Sequence, residues 1–354
     1  MQPQVFINHI STAVPETEVH EMFLREGPKF LKEERDKKIF KRIASRGQIE
    51  RRYSVLPMAA TETESGLLEF YQMGAFPTTA ARMLRYQKHA LPLALKSIAP
   101  LKDKTNLQEI THLIVTSCTG FYAPGLDIEL VRELGLKPSV ERTIVGFMGC
   151  YAAFNGLKLA HSIVLARPDA KVLMVNIELC TLHLQEISDI ESMLGFLIFA
   201  DGCAASIVSR ASGGLEITGF RNELGFSEID KITWQVGDQG FDMFLSTEVP
   251  AAIGRLMPER LADIVASSGD VPLWAIHPGG RAILDVIQEK LVLSDEQMQA
   301  SREVLRDCGN MSSASVMFVL QKHLYQTATS GEGWAMAFGP GLTVEAMKFL
   351  KTPL

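Results

Sequence analysis

The chain has 354 residues, 47% of them apolar and 21% charged, with 27 Gly and 16 Pro. These proportions exclude a disordered, collagenous or low-complexity chain and leave two domains or one large duplicated one. The 35 Lys and Arg against 41 Asp and Glu give a formal charge of −6, which argues against a dedicated nucleic-acid binder. Five cysteines are too few, and odd in number, for a disulfide scaffold, so reduced thiols and a cytoplasmic location are expected. The first twenty residues lack a basic start and a long apolar core. The longest apolar stretch, 193–200, stops at Asp201, well short of the ~20 residues of a spanning helix. No membrane span is expected.

In chain order, residues 21–53 are charge-rich and helical in pattern, with Phe40, Ile43 and Ile49 set among Lys and Arg. Residues 57–77 read as loops and short helix, and 78–97 as an amphipathic helix bent or interrupted near Pro92. Short apolar strands then alternate with helices. The strands are expected over 112–116, 142–147, 171–177 and 204–208, the helices over 125–134 and 151–166. That alternation predicts an α/β architecture with both sheet faces covered. A Gly/Ser turn at 209–214 is the boundary candidate. The rhythm then returns with a strand at 272–276, helices at 281–291 and 295–306, a helix after Asn310 and a strand at 334–338. Nearly equal intervals separate a strand end at Cys118 from Cys150, and a strand end at His277 from Asn310, each second residue opening a helix. Such repetition points to internal duplication.

Three of these positions carry chemistry. Cys150 stands in Val145-Gly-Phe-Met-Gly-Cys-Tyr-Ala-Ala-Phe154, where Gly149 permits a sharp turn and Ala152 and Ala153 permit close helix packing. A thiol at that junction sits over a helix N-terminus, where the macrodipole favours thiolate. His277, in Ile276-His-Pro-Gly-Gly280, ends an apolar strand, and sites collect at strand ends in α/β sheets. Asn310 follows Gly309 and precedes Ser312 and Ser313. Taken singly, the three also read as a buried small hydrophobe, a strand-end histidine and a turn with a helix cap. Together they suit one reaction. Cys150 thiolate, paired with His277 imidazolium, accepts an acyl group from a thioester. The N–H groups of His277 and Asn310 then polarise a second thioester as it loses CO2, and the resulting enolate attacks the acyl-cysteine. No metal and no cofactor are called for. A papain-like protease also uses Cys, His and Asn, but that family is disulfide-rich and carries its Cys near the mature N-terminus.

Five ordered segments resemble the type III polyketide synthases, the chalcone synthase-like family, over nearly the full length. They are 125–150, Phe199-Ala-Asp-Gly202, Ile276-His-Pro-Gly-Gly280, Gly309-Asn-Met-Ser-Ser-Ala314 and Phe338-Gly-Pro-Gly-Leu-Thr-Val-Glu345. The resemblance implies a thiolase-type αβαβα fold with internal duplication. Its N-terminal half (1–210) would carry the nucleophilic Cys and its C-terminal half (211–354) the His and Asn. It implies a homodimer that takes acyl-CoA and malonyl-CoA as substrates. Cys150 matches the acylated nucleophile, His277 and Asn310 the decarboxylation pair, and Phe199 the gatekeeper between CoA tunnel and cavity. Arg42 and Arg46 align with basic residues that meet the CoA phosphates, while Ile39 stands at a third such position with Lys38 beside it. Cys118, Thr119, Cys180, Gly195, Ser312 and Pro340 fall at cavity-lining positions.

Departures from the plant members are informative. Ala123 stands where those enzymes place a Met that reaches across the dimer, and His183 replaces a Thr. Thr119, Ala123 and Cys180 together resemble bacterial members with a tunnel for long acyl chains, the alkylpyrone and alkylresorcinol synthases. Loss of the thioether arm opens volume, and each buried methylene of an alkyl chain contributes ~0.8 kcal/mol. A fatty acyl starter is therefore expected over an aromatic one. The alternative of the same chemistry is an initiating β-ketoacyl-ACP synthase, which makes a single condensation on a carrier protein.

Overall fold

Phe6–Ala13, a segment without polar alternation, forms the middle strand of the molecule in the computed structural model. The structure describes residues 3–57, 70–72, 74–186, 189–260, 264 and 271–354. Most of the 57–77 segment read as loops and short helix lies outside the described residues. The strands are β1 (Phe6–Ala13), β2 (Thr17–Glu18), β3 (Tyr53–Ser54), β4 (His112–Ser117), β5 (Glu141–Gly146), β6 (Val172–Leu179) and β7 (Asp201–Ser209). They continue with β8 (Gly214–Leu224), β9 (Ile232–Gly237), β10 (Gly240–Leu245), β11 (Leu273–Ile276), β12 (Gly331–Gly339) and β13 (Thr343–Thr352). The helices are α1 (His20–Glu26), α2 (Glu34–Arg46), α3 (Thr79–Ile98), α4 (Leu126–Glu133) and α5 (Ala152–Ala166). After them come α6 (Ile190–Ile198), α7 (Val249–Arg260), α8 (Arg281–Leu291), α9 (Asp295–Cys308) and α10 (Ser315–Tyr325).

Among the described residues, nine strands are hydrogen-bonded in the order β11-β12-β13-β8-β1-β7-β6-β4-β5. The link between β1 and β8 is only two residue pairs long, so the ladder divides there into a five-strand and a four-strand layer. Three apolar cores follow from that division. One lies under α3 and holds Tyr86, Leu93 and Ile98. The second holds Phe154 and Leu157 of α5 with Val316 and Val319 of α10. The third holds Leu284 and Ile287 of α8 with Leu305 of α9. Helices therefore cover both outer faces and fill the space between the layers. Strands buried on both faces need continuous apolar runs rather than alternation, and β6 and β7 are buried along their whole length.

α3 runs unbroken through Pro92, where a bend or interruption was expected. Its buried face, with Ala90, Leu93 and Ala94 against the first core, holds the helix across the missing donor. The turn expected at 209–214 lies between β7 and β8. At the far edge of the sheet, β5 is exposed over nearly its full length and is flanked by exposed Phe121 and Ile128.

Candidate active site

Cys150 sits one residue beyond Gly149, at the turn between β5 and α5. Gly149 has φ +84, and a Cβ there would collide with the Pro340 ring, so a glycine is required on both counts. This contact brings Pro340, from the loop after β12, against the turn that carries Cys150. On the other side, Gly149 N donates to the Cys118 Sγ at 3.0 Å.

The second half of the chain supplies the remaining groups. Asn310 Nδ2 donates to the Gly279 carbonyl at 3.3 Å, and Gly279 N donates to the His277 carbonyl at 2.8 Å. Asn310 Oδ1 accepts from Ser312 N at 2.9 Å. Ser312 has φ +45, and its side chain and that of Asn310 both act to lower the pKa of the Cys150 thiol. His277 is buried, and neither ring nitrogen finds a partner among the described residues. A buried polar group left unmade costs about 1–3 kcal/mol, and a group kept in that condition points to a reactant.

Electrostatically the pair differs from the expected thiolate and imidazolium. Burial pushes the Cys150 thiol up to about 12, against the pull of Ser312 and Asn310 and with the Glu178 carboxylate adding to the rise. Burial alone pushes His277 down to about 3. Burial thus favours a thiol and a neutral imidazole in the free site. A neutral imidazole is one donor and one acceptor, which suits it to take the thiol's proton on one nitrogen and offer N–H from the other.

Phe199 closes α6, and its neighbours divide two spaces. Ile198 lines an outer cavity of about 690 Å³ with Arg46, Leu194, Gly279, Gly280 and Arg281. Phe199 lines an inner slot of about 40 Å³ with Cys180, His183, Gly195, Trp234 and Met243. Of the two arginines expected near CoA, Arg46 lines the outer cavity. Arg42 is exposed on α2 and is not among that cavity's lining residues.

Thr119 turns away from open space. Its Oγ1 donates to Glu178 Oε2 at 2.9 Å, while its carbonyl accepts from His183 Nε2 at 2.6 Å. Ala123 is exposed and is absent from the walls of both spaces. The loop that carries it runs out towards the β5 edge, where a Cβ on Gly125 would lie 3.4 Å from Ile144 Cδ1. Ala123 therefore opens no volume in its own chain's slot.

Three residues escaped the sequence reading. Glu178, fully buried in β6, accepts from Cys118 N, Thr119 Oγ1 and Ser313 Oγ, joining the loop after β4 to the loop after Asn310. A glutamate inside an apolar strand was the available signal. Arg281, next after His-Pro-Gly-Gly, was another, and Trp234 donates to the Cys118 carbonyl at 3.2 Å.

The family model described as chalcone and stilbene synthases, N-terminal domain, matches residues 7–212, and the C-terminal domain model matches residues 226–352. Among curated proteins, the chain is 37% identical over 290 residues to "Alpha-pyrone synthesis polyketide synthase-like Pks18" of Mycobacterium tuberculosis, covering 77% of this chain and 73% of that one. Among solved structures it is similar to the C-terminal type III polyketide synthase domain of Steely1 from Dictyostelium, with TM-score 0.90, 26% identity, and 98% and 99% of the two chains covered. It is also similar to PKS-I of the brown alga Ectocarpus siliculosus, with TM-score 0.90, 30% identity, and 99% of each chain covered.

Proposed function

Because the chain belongs to the chalcone and stilbene synthase family of type III polyketide synthases, we propose that it primes Cys150 with a fatty acyl group from CoA, extends it with malonyl-CoA and closes the product to an alkylpyrone or alkylresorcinol. As a member it is an acyltransferase-type condensing enzyme of polyketide biosynthesis with the thiolase-type layered fold. The single condensation on a carrier protein is not favoured by this membership.

In the first step the Cys150 thiol gives its proton to His277 and its sulfur attacks the acyl carbonyl. The CoA thiolate leaves and takes that proton. In the second step malonyl-CoA loses CO2, and the electron pair is held as an enolate by N–H groups of His277 and Asn310. The enolate carbon attacks the acyl-cysteine, and Cys150 leaves as thiolate. The observation that carries this reading is the Asn310 amide, which donates to the Gly279 carbonyl of the His277 loop and helps to lower the pKa of the Cys150 thiol.

CoA thioesters are the substrates, with Arg46 and Arg281 at the mouth of the outer cavity, and no cofactor enters a step. The exposed β5 edge, with Ile144 and Phe121 uncovered, supports a homodimer joined at that strand, since a long bare edge is a pairing template. Among the described residues no helix is long and apolar enough to cross a membrane, and a cytoplasmic site of action suits the free thiol.

Incubation with malonyl-CoA and acyl-CoA starters of increasing length tests the proposal. Pyrones or resorcinols from fatty acyl starters are expected, and products from aromatic starters alone would overturn it. Light scattering at twice the 39.1-kDa chain mass would support the dimer, and a monomer would refute it.

A further inference from the structure

Arg52 is fully buried, an unusual fate for a cation unless something inside the molecule requires it. Its Nη1 donates to the carbonyls of Phe196 at 2.7 Å and Phe199 at 3.1 Å, the last acceptors of α6. A cation at a helix C-terminus meets the negative end of the dipole. Its Nε donates to His20 Nδ1 at 3.0 Å, and burial with the arginine's own charge pushes His20 down to about 4, so the acceptor is a neutral imidazole. The guanidinium carbon lies 4.6 Å over the Phe23 ring. Glu18 Oε1 accepts from Arg52 N at 3.2 Å and from His20 N at 2.6 Å.

The stem of the same side chain touches the other half of the protein. A Cβ on Gly309 would lie 2.7 Å from Arg52 Cγ and 3.0 Å from Cδ. Gly309, at φ +70, therefore rests its bare backbone on the arginine methylenes. The next residue is Asn310, whose N donates to the Ile198 carbonyl at 2.8 Å. One side chain thus caps the helix that ends in the gate phenylalanine and supports the loop that presents the decarboxylation amide.

We propose that Arg52 is a positioning residue that sets the Phe199 ring and the Asn310 amide relative to each other, touching neither substrate nor the reacting atoms. This inference rests on the polyketide synthase reading above. It separates two half-reactions by degree: the backbone turn of Cys150 is held by Pro340 and Cys118, so acyl loading depends on Arg52 less than decarboxylation of malonyl-CoA does, which uses the Asn310 amide directly.

The test compares wild type, Arg52→Met and Arg52→Lys in the full chain. Acyl loading is read as the single-turnover mass of acyl-enzyme, and decarboxylation as CO2 release from malonyl-CoA. For Arg52→Met, kcat for decarboxylation should fall about 10- to 100-fold, the cost of displacing a group by roughly 1 Å. Its loading rate should fall by a smaller factor, within about threefold, since loading meets the displaced Asn310 only through the Cys150 thiol and not at a developing enolate. Arg52→Lys, whose ammonium reaches one carbonyl, should recover part of the loss. Equal losses in both half-reactions, or an unchanged decarboxylation rate in folded Arg52→Met, overturn the proposal. If Arg52→Met is insoluble, Arg52→Lys and His20→Ala decide in its place. A selective fall in decarboxylation supports the proposal, and wild-type rates or a uniform loss refute it. Failure of the underlying reading is distinct, because wild type itself would then release no CO2 from malonyl-CoA.

Discussion

Phe199 and Asn310 face each other across a single parallel β-bridge: Asn310 N donates to the Ile198 carbonyl at 2.8 Å, and Ala200 N donates to the Asn310 carbonyl at 2.9 Å. Phe199 comes from one half of the chain and Asn310 from the other. Two backbone hydrogen bonds join the two segments whatever side chain occupies position 310, and they leave the direction of the ring and of the amide to the packing around them.

Asn310→Ala should therefore keep the bridge while removing the chemistry. The variant loses the bonds to Gly279 O and Ser312 N, each worth about 1 kcal/mol, so it should fold with a modestly lower Tm. CO2 release from malonyl-CoA should fall about 10²- to 10³-fold, the usual cost of removing one donor to a developing oxyanion. Acylation of Cys150 should persist. A decarboxylation rate close to wild type would remove Asn310 from the proposed role.

The protonation of the free site can be read from alkylation. With the Cys150 thiol pushed up to about 12 by burial, thiolate is a minor form at neutral pH. The rate of carboxamidomethylation should climb about tenfold per pH unit from 7 to 9 without levelling, because only the thiolate reacts. Ser312 pulls the thiol down by hydrogen bonding, so Ser312→Ala should react more slowly throughout. A plateau near pH 7 would show a resting thiolate and restore the ion pair.

Amphipathic helices were the most legible elements. α8 spans the expected 281–291 because its apolar positions recur at helical spacing and pack on the third core. The middle strand β1 escaped, since a strand buried on both sides carries no period-2 signal. The β9–β10 hairpin and β13 escaped for a different reason: nothing local shows that 232–245 leaves the main sheet to wall the slot. At the candidate site, Cys150, His277 and Asn310 stand in the sequence at junctions between apolar runs and helical segments, which is what singles them out. Thr119, expected to line the cavity, is instead engaged with Glu178, and the bond of His183 to Phe241 N was not legible, because both depend on register between elements distant in sequence.

Two buried carboxyls make stability depend on pH. Burial pushes Glu178 and Asp201 each up to about 7, so the folded chain holds protons that the unfolded chain releases. This contribution is complete below the ordinary values of 4.5 and 3.8 and is lost as pH rises through about 7. Where only the folded form is protonated, each group contributes about 1.4 kcal/mol per pH unit. His20, pushed down to about 4, and His183 and His277, each pushed down to about 3 by burial, act oppositely. Their contribution is complete above the ordinary 6.5 and is lost as pH falls. Relative to Glu178→Gln, which keeps the histidines and lacks this carboxyl, the wild-type Tm should fall as pH rises from 6 to 8. A difference between the two Tm values that stays constant over this range, measured by scanning calorimetry, would contradict the assignment.

His183 sets the size of the inner slot. Its Nε2–H donates to Thr119 O at 2.6 Å, its Nδ1 accepts from Phe241 N at 3.1 Å, and its ring stacks on Phe241 at 4.1 Å. Both nitrogens are spent as the neutral form, in line with a pKa pushed down to about 3 by burial, so the ring is a wall and supplies no proton. With Trp234 and Met243 it leaves about 40 Å³, on a scale where one water needs about 10–15 Å³. A fatty acyl chain enters only by displacing that wall or by running towards the β5 edge and Ala123. His183→Ala distinguishes the two routes. If the wall is displaced, removing the imidazole should raise kcat/KM for a long starter relative to a short one, by up to about fourfold per newly accommodated methylene. The freed carbonyl of Thr119 and amide of Phe241 should lower the Tm, at about 1–3 kcal/mol each if they stay dry. A lower Tm with an unchanged starter ratio would place the acyl chain at the edge, where a second protomer would complete its channel.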